Sequence, residues 1–266
     1  MDFGLKNKLV VVTGASRGIG YAVAEQFLKE GADVVISGRH EEALDEAVAS
    51  LAGIGDKNKS GSVRGYALDG AKEEEMYELA RRAAGEAGHI DVWVNNIGTN
   101  RMRAGELYTE RELDELISAC FKSAVFGSQA AFTYMKENGG SIVNIASLAA
   151  RCATCGRSTI YGALKSAIVG LTNTTAGEYA AYGIRVNAVL PGYTRTPLVE
   201  KTFSREALDK LLQNNLMRRM AQPEEIAKPV VFLAGSAASY ITAASLEVSG
   251  GHANVLNPEY SYENKK

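Results

Sequence analysis

Cysteine is scarce in this chain, with three residues, and histidine is equally scarce, also with three. An odd cysteine count without a secretion signal does not suit a disulfide framework. Cys152 and Cys155 form a C-x-x-C. It reads first as two small loop residues, with a redox pair or part of a zinc site as alternatives. None of His40, His89 and His252 has metal-ligand spacing to a cysteine, so no metal is expected. Charge of either sign in excess is also missing: 29 basic against 31 acidic residues leave a formal net charge of -2. That balance offers no electrostatic reason to bind nucleic acid or an acidic membrane. No apolar run approaches the roughly 18 residues needed to cross a bilayer, so no membrane association is expected. The start, MDFGLKNKLVVVTG, lacks a basic region followed by an apolar stretch and a cleavage site. A cytoplasmic location is therefore expected.

What is present is a regular alternation. Short β-branched runs predict strands over Leu9–Thr13, Asp33–Ser37, Ser62–Leu68, Asp91–Val94, Ser141–Ile145, Arg185–Leu190 and Ser245–Val248. Helical spacing predicts helices over Ile19–Glu30, Glu41–Leu51, Glu73–Ala87, Leu113–Lys136, Thr159–Tyr182 and Pro223–Leu233. Connections of that length imply parallel strands with right-handed crossovers. The expected fold is α/β: one doubly wound (Rossmann) parallel sheet with helices on both faces, spanning 1–266 as a single domain. Residues 193–219 lack strand character and are expected to form a substrate lid. The tail after Gly251 reads as polar and irregular.

The first strand ends in Thr13-Gly14-Ala15-Ser16-Arg17-Gly18-Ile19-Gly20, where a helix begins. Glycines let the backbone turn tightly and approach a pyrophosphate, and a helix N-terminus adds free N–H groups. By itself such a turn is also a plain strand-to-helix connection; its place in the first βαβ unit points to a dinucleotide. The second strand ends in Ile36-Ser37-Gly38-Arg39, with no carboxylate to bond a ribose 2′-hydroxyl. Arg39 and Arg17 suit a 2′-phosphate, which favours NADP(H); the bland alternative is two solvated surface arginines.

Tyr161 and Lys165 stand four apart on a predicted helix, so phenol and ammonium share a face. A free phenol titrates near 10; lowering it to about 7 takes roughly 4 kcal/mol. A nearby ammonium helps, and an oxidised nicotinamide and exclusion of water are needed besides. Y-x-x-x-K is common by chance, but Ser147 closes the fifth strand fourteen residues earlier. Strand C-termini are where doubly wound sheets place ligands. A hydrolase reading of Ser147 fails, since no G-x-S-x-G surrounds it.

Taken together, TGASRGIG, Asp69, NNIG at Asn95–Gly98, Ser147, YGALK, PGYTRT at Pro191–Thr196, RRMAQPEEIA and LEVSGG resemble the short-chain dehydrogenase/reductase family over nearly the whole chain. The resemblance implies an NADP(H)-dependent enzyme on a small-molecule alcohol or ketone, with Tyr161 as acid/base, Lys165 on the nicotinamide ribose and Ser147 on the substrate oxygen. It implies cofactor contacts at Gly14, Ser16, Arg17, Gly18, Ile19, Gly20 and Arg39. Asp69, Asn95 and Gly98 fall on the adenosine side, and Pro191, Gly192, Tyr193 and Thr196 at the nicotinamide end. A homotetramer follows by resemblance only. Two departures stand out: Ile97 where alanine is usual, and Cys120 where the family carries an asparagine that supports a water chain from Lys165. Cysteine bonds weakly, so proton delivery is expected to slow or reroute, unless Cys120 is an inert buried thiol.

NNIGTN and the tail look most like NADP-dependent bacterial bile-acid 7α-hydroxysteroid dehydrogenases. Leu198, Val199, Phe203, Leu208 and Leu211 in the lid agree with an apolar pocket, though helix packing explains them as well. The rival is a 3-oxoacyl-carrier-protein reductase or broad ketoreductase, for which Arg101, Arg103 and Lys122 are candidates to meet an acidic partner. A catalytically weak NADP(H)-binding sensor is the remote third reading, resting on Cys120 alone.

Overall fold

The computed structural model describes residues 2–54, 61–101, 108–152, 159–252 and 254–265. Seven strands form one parallel sheet: β1 (Leu9–Val12), β2 (Asp33–Gly38), β3 (Val63–Ala67), β4 (Val92–Asn95), β5 (Gly140–Ile145), β6 (Ile184–Pro191) and β7 (Ser245–Val248). Their order is β3-β2-β1-β4-β5-β6-β7, so the winding reverses between β1 and β4. Seven runs of apolar, largely β-branched residues therefore became seven strands, within one or two residues of expectation at each end.

Alternation along the strands sorts the core into two layers. Val10, Val12, Val34, Ile36, Val92, Val94, Val143 and Ile145 pack on one face. That face meets α1 (Gly18–Lys29), α2 (Glu41–Ala52) and α9 (Pro223–Ala234). Val11, Val35, Trp93, Ile142 and Val186 pack on the other, under α3 (Glu73–Ala84), α5 (Ser123–Met135) and α6 (Thr159–Tyr179). Burial on both faces explains why the inner strands are largely apolar, whereas the edge strands β3 (VRGYA) and β7 (SLEV) are partly exposed and mixed.

Two expectations are corrected. The single helix over Leu113–Lys136 is two helices. α4 (Glu110–Ile117) starts three residues earlier, where Thr109 and Glu112 close a capping box. It reaches α5 through a π-turn over Ser118–Lys122, where the Ser123 N–H reaches back to the Ser118 carbonyl. The segment 193–219, expected to lack strand character, carries helix instead. It holds α7 (Pro197–Thr202), capped by Thr196, and α8 (Arg205–Leu212), capped by Ser204. Its ends are clasped together, with Ala221 N donating to Tyr193 O at 2.9 Å and Arg195 N to Ala221 O at 2.9 Å. The tail, expected to be irregular, forms a short helix α10 (Tyr260–Glu263). It docks on the end of that segment: Tyr262 donates to Leu216 O at 2.6 Å, and Arg218 lies over the Tyr262 ring at 4.4 Å and pairs with Glu259. No helix among the described residues is long and apolar enough to cross a membrane.

Candidate active site

Parallel pairing brings every strand's C-terminal end to one edge of the sheet, where the loops after β1, β2, β4, β5 and β6 meet. After β1, Gly14 and Gly18 adopt left-handed backbone angles of 63° and 62°. A side chain on Gly20 would come within 2.7 Å of Gly14 O and run into the Asn96 amide. The loop thus folds back on the start of α1 more closely than any other residue permits. Arg17, extended, precedes α1; no side chain caps that terminus and no acidic residue sits in its first turn, which leaves its N–H groups for an anion. The loop is tied to β2 by Ala15 N donating to Ser37 O at 2.9 Å. Ser16 lies against Gly38, so Arg17 and Arg39 flank one corner. Both are exposed, and no carboxylate among the described residues pairs with either.

Asn96, which sequence reasoning passed over, holds this loop. Its Nδ2 donates to Thr13 O at 3.1 Å and Gly14 O at 2.9 Å, while its backbone N–H donates to Thr13 Oγ1 at 3.1 Å. Asn95 points the opposite way. It is 4% exposed. Its Oδ1 accepts from Trp93 Nε1 at 2.7 Å, and its Nδ2 faces Asn144 Oδ1 at 2.8 Å and Ser128 Oγ at 3.1 Å. The expectation that Asn95 lines the adenosine site is therefore corrected for its side chain, which is consumed inside the protein. Ile97 lies against Gly14 and Gly70; the missing side chain at Gly70 makes room for it. Asp69 closes a turn, accepting from Ala71 N at 3.2 Å while its own N–H donates to Glu75 at 2.6 Å.

The loop after β5 carries Ser147, which is extended and accepts from Ala149 N at 3.1 Å. The Ser147 hydroxyl lies close enough to the Tyr161 phenol to oppose the rise of its pKa. Tyr161 is half-buried and Lys165, one turn along α6, is 3% exposed. The Lys165 ammonium lies 5.7 Å from the Tyr161 ring centre and donates to Ile145 O at 2.7 Å. Burial pushes the Tyr161 phenol up to about 12, opposed by the Ser147 hydroxyl. Burial also lowers the Lys165 pKa from its ordinary value. Both shifts follow from keeping charge out of a dry site.

Cys120 sits in the π-turn beside this group and is 1% exposed. Its thiol donates to Thr99 O at 3.0 Å and accepts from Thr99 N at 3.4 Å. Gly98 fills the space between: a Cβ there would lie 3.3 Å from Lys165 Nζ and 4.0 Å from Cys120 Sγ. Cys152 is a free thiol; Cys155 and Arg103 lie outside the described residues, as does much of the loop 149–159.

Beyond β6, Gly192 packs directly on Ser249, and Thr196 Cγ2 approaches Gly18, so the base of α7 touches the glycine loop. Tyr193 meets the lid at Phe203, edge to face with centroids 6.0 Å apart. Neither α7 nor α8 holds a buried residue. Arg101, a candidate for an acidic partner, is instead engaged by Glu115.

Comparison with known proteins agrees with this arrangement. A family model described as enoyl-(acyl carrier protein) reductase matches residues 14–253. The 7alpha-hydroxysteroid dehydrogenase of Clostridium sardiniense is 36% identical over 97% of this chain and 97% of its own. The 3-oxoacyl-[acyl-carrier-protein] reductase FabG of Thermotoga maritima is 34% identical over 93% of this chain and 98% of its own. Among solved structures, a short-chain type dehydrogenase/reductase from Mycobacterium marinum superposes with a TM-score of 0.87 at 31% identity, covering 95% of this chain and 98% of that one. With the parallel sheet, the glycine loop and the serine, tyrosine and lysine at its edge, these similarities place the chain in the short-chain dehydrogenase/reductase family of oxidoreductases.

Proposed function

We propose that this chain is an NADP(H)-dependent enzyme that interconverts a secondary alcohol and a ketone, and that its substrate is a hydroxysteroid of the bile-acid type. The observation that carries the reaction is the cluster at the end of β5: Ser147 close beside the Tyr161 phenol, with Lys165 one turn away. In reduction, Ser147 holds the carbonyl oxygen and Tyr161 gives it a proton; in oxidation Tyr161 takes the proton back. Lys165 keeps positive charge beside the phenol and binds the ribose. The nicotinamide supplies or accepts the hydride. The cradle fits such a cofactor: Gly14, Ser16, Gly18, Ile19 and Gly20 with the open end of α1 suit the pyrophosphate, and Arg17 and Arg39 a 2′-phosphate. Asp69 and the Asn95–Gly98 backbone would border the adenosine, and Pro191, Gly192, Tyr193 and Thr196 the nicotinamide end.

In this reading residues 1–266 act as one domain with 193–219 as lid, in a cytoplasmic homotetramer. Likeness to the C. sardiniense enzyme supports a steroid, as do the apolar lid residues. The engagement of Arg101 by Glu115 weakens the case for an acyl-carrier protein. The test is NADP(H)- and NAD(H)-linked turnover against bile acids, 3-oxoacyl thioesters and sugars. Bile-acid oxidation with NADP is expected. No steroid turnover beside fast 3-oxoacyl reduction would move the substrate to the alternative, and no turnover of anything would favour a binding protein.

A further inference from the structure

We infer that His252 is a specificity-determining residue of the substrate pocket, one that hydrogen-bonds a substrate hydroxyl remote from the reacting carbon; this rests on the alcohol–ketone reading above. Its position follows from the sheet. Val189 pairs with Ile145 and Pro191 with Val248, so Ser147, Pro191 and Val248 end at one level. His252 comes four residues after Val248, beyond Gly250 and Gly251, whose left-handed angles of 67° and 73° turn the chain back on itself. The turn presses the imidazole against Tyr193, rings 5.2 Å apart and 74° inclined. Tyr193 is thereby held between His252 and Phe203 of the lid.

The wall beneath His252 is tied to the Ser147 turn. Arg151, at the end of that turn, donates to Ser245 O at 3.2 Å and lies 3.8 Å from Glu247. The other Glu247 oxygen accepts from Ser249 and, at 2.7 Å, from Asn254. These groups are occupied, whereas His252 Nδ1 is buried without a hydrogen-bond partner among the described residues. A buried polar atom left unpaired calls for an occupant. Burial lowers the imidazole pKa against an opposing pull from Glu247, so the ring is neutral near pH 7 and carries one donor and one acceptor. A hydroxyl, both donor and acceptor, satisfies Nδ1 in either tautomer; a carboxylate or a ketone oxygen satisfies only one.

The experiment compares kcat/KM for pairs of alcohols differing by one remote hydroxyl, drawn from steroids and from simpler ketoreductase substrates. It uses wild type, His252→Leu and His252→Gln, with melting temperatures as the check on folding. Wild type is expected to prefer the hydroxylated member by about tenfold, the worth of one neutral hydrogen bond. His252→Leu should lose that preference and His252→Gln should keep part of it. With three histidines in the chain, nitrogen-labelled imidazoles give a second readout: the hydroxylated ligand should shift the His252 Nδ1 resonance and leave His40 and His89 unmoved. A preference found only outside the steroids would defeat the steroid reading and keep the role of His252. An unchanged ratio in His252→Leu, an unmoved Nδ1 resonance, or no turnover of any pair would overturn the inference.

Discussion

If Tyr161 is the acid and base of the reaction, its two directions must respond to pH in opposite ways. Its phenol stands at about 12 in the protein alone. Working as a base near pH 7 would require a drop of about five units, or roughly 7 kcal/mol. The Lys165 ammonium, 5.7 Å from the ring centre, is already part of the environment that gives this value. The drop must therefore come with the positive charge of the oxidised cofactor. Reduction needs the protonated phenol, so its rate is full below the Tyr161 pKa and falls only as pH rises through it. Oxidation needs the phenolate, so its rate is lost as pH falls and climbs toward alkaline pH. Steady-state kcat in both directions across pH checks this, with Tyr161→Phe alongside. The variant should bind cofactor as before and lose about 10²–10⁴-fold in kcat. Activity above about a tenth of wild type in Tyr161→Phe, or an oxidation rate flat across pH, would refute the assignment of Tyr161.

Arg39→Asp should invert the cofactor preference from NADPH to NADH, because a carboxylate there bonds a 2′-hydroxyl and repels a 2′-phosphate; equal kcat/KM for both cofactors in wild type would remove its basis. Asn96→Asp faces two carbonyl oxygens, on Thr13 and Gly14, with a group that cannot donate. It should cost about 1–3 kcal/mol and weaken cofactor binding, seen as a lower Tm and a higher Kd; no change in either would show that Asn96 does not hold the loop. Cys120→Ser should retain most activity, Cys120→Asn should match or exceed wild type, and chelators should do nothing. Loss of most kcat in folded Cys120→Ser, or stoichiometric zinc, would contradict all three.

The strands were legible because burial on both faces leaves a continuous apolar signature, as in LVVV at β1. The π-turn was not, since one inserted backbone step leaves the apolar spacing around Cys120 almost untouched. The short helices α7 and α8 did carry signals, in Thr196-Pro197 and Ser204, but they are too brief for periodicity to find. The docking of Tyr262 on Leu216 joins residues far apart in sequence, which no local pattern encodes. The roles of Asn95 and Asn96 could have been told apart. In β4, Val92 and Val94 face one layer and Trp93 the other, so alternation puts Asn95 on the Trp93 side, inside the protein. It follows that Asn96 faces the glycine loop.

One strand end sets the spacing of the whole proposed site. The Ile145 carbonyl that receives Lys165 lies at the end of β5, and Ser147 follows two residues later. The distance between Ser147 and Lys165 is therefore fixed by that stretch of extended backbone. The helical turn from Tyr161 to Lys165 closes the triangle by bringing the Tyr161 phenol beside Ser147. Other strands add the remaining pieces at the same edge, because the sheet is parallel. β1 and β4 bring the glycine loop and Asn96, and β6 brings Pro191 to Thr196. An antiparallel strand at any of these places would carry its piece to the opposite edge. A one-residue slip of β5 against β6 would turn Val143 and Ile145 out of their layer and displace Ser147 and the Ile145 carbonyl together. The apolar core that fixes this register thus also fixes the geometry of the proposed site.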